Sequence, residues 1–187
     1  KKTLSGAAFE VPDRSEWSHR MSTVLSVIYL IFNEGYAASS GRHWFREDLC
    51  EEALRLGRVL AALAPDEAEV HGLVALMEFQ SSRLRARVDA EGAPILLENQ
   101  DRTRWDRAQI QRGVTALGAA AQALHRRGSG WGPYALQAAL AECHAVAPTT
   151  SAAAISGASL SLTTCTAGWS PASEGSETFC AIRHSTP

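Results

Sequence analysis

Apolar residues recur along the first part of the chain at the spacing of helices. Met21, Val24, Leu25, Ile28 and Phe32 fall on one helical face. Asp13 followed by Glu16 has the spacing of a capping box, which predicts a helix start there. Gly35 is placed to end the same helix in a left-handed conformation. After a Gly/Ser-containing connection over Tyr36 to Phe45, a second helix follows, with Glu47 and Asp48 in its first turn, where negative charge suits the helix dipole. Its apolar stripe reads Leu49, Ala53, Leu56, Leu60 and Leu63, leaving Arg55 and Arg58 to face solvent.

Ala64-Pro65 stops that helix, and Asp66 can open the next almost at once, so the two are predicted to form an antiparallel hairpin. The third helix uses Val70, Leu73, Met77 and Leu84, then frays over Arg83–Val88 into a turn at Asp89-Ala90-Glu91-Gly92. Ile95, Leu96 and Leu97 suggest a brief extended run, a candidate two-stranded flap. A fourth helix starts between Asp101 and Asp106 and runs to Arg127, with Ile110, Val114, Leu117, Ala121 and Leu124 as its stripe. Gly113 and Gly118 inside it cost ~1 kcal/mol each against alanine, which close approach of another helix would justify. Gly128, Gly130 and Gly132 break the chain. Pro133 suits the first turn of a fifth helix, with Leu136, Ala139, Leu140 and Cys143 inward and Pro148 at its end.

The pattern predicts an all-α fold of about five helices in antiparallel hairpins, stacked like tetratricopeptide repeats although no ~34-residue period is visible. The expected organisation is a linker over residues 1–12, a helical repeat-like domain over 13–148, and a tail over 149–187. Eight Ser and seven Thr but only Glu174, Glu177 and Arg183 as charged residues make that tail too polar to bury a core, so it reads as disordered.

Composition narrows the function classes. The formal net charge of -2 supplies no global positive field for a nucleic-acid backbone, so no direct nucleic-acid contact is expected. The longest apolar stretch, Val24 to Phe32, is interrupted by Ser26 and falls far short of the ~20 residues that span a bilayer. Lys1 and Lys2 lead into polar and small residues rather than a signal-peptide core, and no Met opens the chain, so the expectation is a sequence that begins partway through a longer product. Cys50, Cys143, Cys165 and Cys180 are scattered without a CxxC or finger spacing, as buried or incidental thiols in a reducing cytoplasm would be.

Candidate chemistry is sparse. Glu34, His43, Glu47 and Asp48 could converge on a metal, yet no HExxH or Glu-x-x-His pair fixes two ligands on one face, and capping explains Glu47 and Asp48. Cys143 and His144 are adjacent on a helix and point about 100° apart, which does not suit a nucleophile and its base. Gly128-Ser129-Gly130-Trp131-Gly132 lacks the Lys and the preceding strand of a phosphate loop. No catalytic residue, metal or cofactor is expected. The run Asn99 to Arg107 mixes two acids, three arginines and an aromatic at a helix entrance. Either it is a salt-bridged cap with Trp105 packed inward, or Arg102, Arg104, Trp105 and Arg107, together with Trp44, form a recognition patch for an acidic or peptide partner.

Several stretches also carry a family resemblance. They are Val27-Ile28-Tyr29-Leu30-Ile31-Phe32-Asn33-Glu34-Gly35-Tyr36, Ser39-Ser40-Gly41, Asp48 to Arg58, Glu69-Val70-His71-Gly72-Leu73-Val74-Ala75-Leu76-Met77, Gln100 to Asp106, Gly132 to Ala139, and Cys143-His144-Ala145-Val146-Ala147-Pro148. In this order they resemble the C-terminal, tetratricopeptide-like helical extension of one group of extracytoplasmic-function RNA polymerase sigma factors. The resemblance implies a cytoplasmic, non-catalytic regulatory extension acting in transcription initiation. Its implied partners are RNA polymerase, the parent sigma factor's own DNA-binding regions or an accessory regulator. Nothing here matches the promoter-reading or polymerase-binding segments that precede this region in such proteins. A stand-alone helical adaptor and a small helical metal-dependent enzyme are the rival readings.

In relatives of that group further Leu/Ala/Arg-rich hairpins follow the proline near position 148; here the Ser/Thr-rich tail stands in their place, as a reading-frame shift near residues 149–155 would produce. Resequencing the locus is expected to give a continuous frame upstream of Lys1 and a shift that restores helical sequence downstream. An intact tail frame with a start codon just before Lys1 would support the free-standing adaptor instead.

Overall fold

The computed structural model describes residues 13–38, 45–128 and 130–147. Within them the fold is all-α, with helices α1 (Arg14–Tyr36), α2 (Glu47–Leu63), α3 (Ala68–Ser81), α4 (Arg107–Arg127) and α5 (Pro133–Val146). The long α3–α4 connection carries single 3-10 turns at Leu84–Ala86, Leu97–Asn99 and Arg102–Arg104. The linker over 1–12, the tail over 149–187, His43, Trp44 and Pro148 lie outside the described residues.

Residue pairs fix the directions of the helices. Gly35 meets Cys50, Gly57 meets Met77, and Gly113 meets Phe79, so α1/α2, α2/α3 and α3/α4 are successive antiparallel neighbours. Glu69 reaches Ala135 at one end of α5 while Phe79, Arg83 and His144 gather at the other, so α5 runs parallel to α3. Helix α3 is the centre of the stack. Of its 14 residues 11 are buried, from Ala68 to Ser81, which leaves it almost no solvent face. Leu73, Val70 and Met77 face a core built with Leu25, Ile28 and Phe32 of α1 and with Cys50, Ala53 and Leu54 of α2. Leu76 and Phe79 face a second core with Ile110, Leu117 and Ala120 of α4 and Ala138, Ala139 and Ala145 of α5.

One charged residue sits in this centre. Glu78 is 1% exposed, and its carboxylate takes Arg58 Nη2 at 2.5 Å and Arg58 Nε at 3.1 Å from α2. From α4, Arg112 Nε lies 3.3 Å from each oxygen. A carboxylate buried this deeply costs several kcal/mol in lost hydration, and two guanidinium groups offset that cost only while both stay in place. At the rim, Arg126 with Asp66 is largely exposed and contributes little, while Arg127 grips the half-buried Glu67 through two bonds of 2.8 Å.

Several expectations are corrected by the packing. The capping box does not form: the Asp13 side chain makes no cap hydrogen bond, and Glu16 binds Arg20 one turn on, at 2.7 Å. Gly35 does not end α1 in a left-handed conformation, since the helix runs to Tyr36 and the positive-φ glycines among the described residues are Gly92 and Gly128. What Gly35 supplies is space, because a Cβ there would stand 2.7 Å from the Cys50 amide nitrogen and 2.9 Å from the Arg46 carbonyl. The α2 stripe is turned only in part: Ala53 is buried and Leu56 and Leu60 pack against the core as expected, but Cys50, Leu54 and Gly57 are the other buried positions and Leu63 is 76% exposed. Close approach to α3 explains the turn: a Cβ on Gly57 would lie 2.9 Å from Met77. Arg58 is exposed as expected, although its guanidinium reaches in to Glu78.

Likewise α5 buries Ala135, Ala138, Ala139 and Ala145, while Leu140 is exposed and Leu136 and Cys143 are half-buried. Gly118 faces open space and Gly113 alone fits the close-packing reading, under the Phe79 ring. The flap reduces to one bridge between Val88 and Pro94, because the Arg87 N–H is taken by the Leu84 carbonyl in the preceding 3-10 turn and the chain turns at Asp89–Gly92. Leu84 is buried as expected, but in the 3-10 turn after α3.

Replacing both arginines, Arg58→Met with Arg112→Met, strands the buried carboxylate and should lower unfolding stability in urea by about 3 kcal/mol. Adding Glu78→Leu should recover most of that loss. A double variant as stable as the parent would contradict the role given to the cluster.

Candidate functional site

The 25-residue path from Ser82 to Asp106 runs across the ends of other helices, and its polar residues satisfy backbone groups those helices leave open. Arg87 donates to the Tyr36 carbonyl at the end of α1, with its guanidinium 3.7 Å from the centre of the Tyr36 ring. Burial pushes the Arg87 pKa down from its usual value, but a guanidinium starts so high that it stays charged. Arg102 does the same for α5: its Nη1 donates to the His144 carbonyl at 2.7 Å and the Ala147 carbonyl at 2.9 Å. Positive charge at a helix C-terminus also meets the favourable end of the dipole.

The run from Asn99 to Arg107 therefore divides. Trp105 is 4% exposed and packs in the α3–α5 core, with the Arg102 guanidinium 4.5 Å above its ring. Asp101 accepts from Thr103 N at 2.9 Å and Oγ1 at 2.7 Å, and these bonds hold its carboxyl below the usual range. Asp106 caps α4 through Ala108 N and Gln109 N at 2.8 and 3.0 Å, while its own N–H donates to the Ser82 carbonyl at 2.8 Å. Arg104 and Arg107 remain exposed. Of the four arginine and tryptophan candidates here, two are thus engaged inside the fold and two face solvent; Trp44, the fifth candidate, lies outside the described residues.

Arg104 opens onto a groove of about 380 Å³ where the start of α2 meets the end of α3 and the start of α4. Glu47 and Glu51 stand on one side, with Arg85, Arg104, Asp106 and Arg112 on the other. Both charge signs line the concavity, which suits a polypeptide presenting its own charged side chains better than a uniformly anionic backbone. The composite was not legible in sequence order, since its members come from three helices and a loop.

Other candidate chemistry resolves locally. Arg46 donates to Asp48 at 2.9 Å, and this bond holds the Asp48 carboxyl below its ordinary value. Among the described residues no group of three or more His, Cys, Asp or Glu side chains could hold a metal ion; His43 lies outside them. The Cys50 thiol is buried beside the Phe32 carbonyl, and burial pushes its pKa up to about 12. Burial also raises the Cys143 thiol and, with Arg83 and Arg102 nearby, lowers His144. No described helix is long and apolar enough to cross a membrane.

Sequence reasoning missed Glu69, whose carboxylate accepts from Tyr134 N at 2.9 Å and Ala135 N at 3.1 Å, capping α5 from α3. Gly132 leaves room for that carboxylate, and Gly72 lets the α5 backbone come close, since its Cβ would lie 2.6 Å from Ala135 N. The segments around Gly72 and Gly132-Pro133-Tyr134-Ala135 are thus two halves of one helix junction.

Residues 20–121, more than half of the chain, match the model of a family described as a family of unknown function (DUF6596). The chain belongs to that family. It is 47% identical over 141 residues to an uncharacterized protein of Rhizobium meliloti (strain 1021), an alignment covering 75% of this chain and 32% of that relative. The chain thus spans about a third of the length of the curated relative it matches. No solved structure matches it.

A thiol raised to about 12 and shielded from solvent is a poor nucleophile near neutrality. Iodoacetamide at mildly alkaline pH should leave Cys50 unmodified in the native protein and label it once denaturant is added, as read by peptide mass spectrometry. Rapid native labelling of Cys50 would contradict the packing of α1 on α2.

Proposed function

We propose that this chain is a non-catalytic adaptor domain that binds another polypeptide through the groove at the α2–α3–α4 junction. The observation that carries the reading is the groove itself, where Glu47 and Glu51 of α2 and Arg85 and Arg104 of the α3–α4 connection line one concavity with both charge signs. The alternation of helix directions, with α5 parallel to α3 and antiparallel neighbours before it, supports stacking of the tetratricopeptide kind, whose concave surfaces hold peptides. The metal-dependent alternative has no cluster to support it among the described residues.

The resemblance to sigma-factor extensions narrows the proposed partner. On that basis the groove engages RNA polymerase or the DNA-binding regions of a parent sigma factor, and so tunes transcription initiation from within a longer polypeptide. The much greater length of the Rhizobium relative is compatible with a domain that works inside a larger chain. A free-standing adaptor makes the same use of the groove with a different partner.

Binding of the labelled chain to core RNA polymerase, and separately to a sigma factor's DNA-binding portion, distinguishes these. The transcription proposal expects saturable binding to one of the two, weakened about tenfold, or ~1.4 kcal/mol, by Arg85→Glu with Arg104→Glu. Binding indifferent to both substitutions would refute the groove. Absence of binding to either partner would refute the transcription role.

A further inference from the structure

A second cavity lies on the other side of α3. It measures about 230 Å³ and sits between α3 and α5 under the strap that carries Leu97 and Trp105. Leu76, Phe79, Leu97, Leu140 and Ala145 give it apolar walls. Gln80, Arg83, Trp105 and His144 give it polar ones.

Those four polar residues each hold an atom that is buried and unpartnered: Gln80 Oε1, Arg83 Nε, Trp105 Nε1 and His144 Nδ1. Arg102, stacked on the Trp105 ring, adds unpartnered Nε and Nη2 atoms beside them. Buried polar groups are normally satisfied, and leaving one unmade costs about 1–3 kcal/mol, so a cluster of this kind marks a place for something else. Its chemistry is one-sided. Arg83, Arg102 and the indole offer N–H donors only, and neutral His144 can carry its proton on Nδ1. The Gln80 amide can turn its NH₂ inward by a flip. Among the described residues no carboxylate forms an ion pair with Arg83 or Arg102. A cavity of roughly 150 Å³ already accepts a benzene ring, so this one has space for a ring or short chain bearing a charged group.

We propose that the α3–α5 cavity binds a small organic carboxylate, gripped by Arg83 Nε–H and the Trp105 indole N–H, with its hydrocarbon part against Leu76, Phe79 and Ala145. Arg102 supplies positive potential from the Trp105 face. Because Arg102 and Trp105 belong to the strap that ties down the end of α5, an occupant would fasten α3, the strap and α5 together. This site is separate from the groove at the start of α2, so it stands or falls independently of the adaptor reading.

The test is a ¹H–¹⁵N spectrum of the full chain, with the Trp105 indole signal identified by Trp105→Phe, titrated with benzoate, benzamide and inorganic phosphate. Benzoate is expected to shift the Trp105 indole saturably, with benzamide and phosphate each at least about tenfold weaker. Arg83→Met should weaken benzoate by about tenfold or more. If that variant fails to fold, Ala141→Phe, which fills the cavity from its rim without removing charge, should abolish the shift. Equal response to benzamide overturns the charge argument, and equal response to phosphate overturns the hydrocarbon argument. No saturable shift with any probe overturns the site, leaving a cavity that holds water only.

Discussion

Glu78 constrains the position of three helices at once. A carboxylate near the end of a helix that is buried on nearly every side can be tolerated only if its charge is met where it lies. Arg58 and Arg112 meet it from opposite neighbours, each with its side chain 47% exposed, so the charge cluster reaches from the core to the surface on both flanks of α3. This geometry fixes the lengthwise register of α2 and α4 against α3, something the sliding apolar faces alone would define less sharply. The two cores on either side of α3 are then filled at that register.

The helix ends obey the same logic of compensation at a distance. Glu69 of α3 satisfies amides at the start of α5, Arg102 satisfies carbonyls at its end, and Arg87 closes the end of α1. Only α4 takes both of its ends from local chemistry, with Asp106 as N-cap and Gly128 in the left-handed conformation as C-cap. The long connection before α4 is thereby a structural strap, anchored at Tyr36 and at His144, as well as one wall of each concave surface.

Element positions were legible because periodicity, Pro65, Asp106, Gly128 and Pro133 act locally. Which face each helix buries was less so. Stripe reading favours large residues, and it chose Leu63 in α2 and Leu140 in α5, both exposed. The observed contacts favour small ones, because Gly57 and Gly72 let backbones approach more closely than leucine faces allow. Glu69 and Glu78 were not legible as structural residues, because no single-sequence pattern distinguishes a solvated glutamate from one that caps or pins another helix. The chemistry of the run at Asn99–Arg107 depends on partners from Ser82, His144 and Ala147, which lie far from it in sequence. The groove and the cavity are composites of several elements, visible only once α3 stands between them.

The central claim is that α3 binds the two cores into one cooperative unit. Native-state hydrogen exchange, followed amide by amide, tests it most directly. The account predicts that the amides of α3, the middle of α2 and the middle of α4 exchange at a single free energy equal to that of global unfolding. Exchange of α1 and α2 at a distinctly lower free energy than α3, α4 and α5 would contradict it.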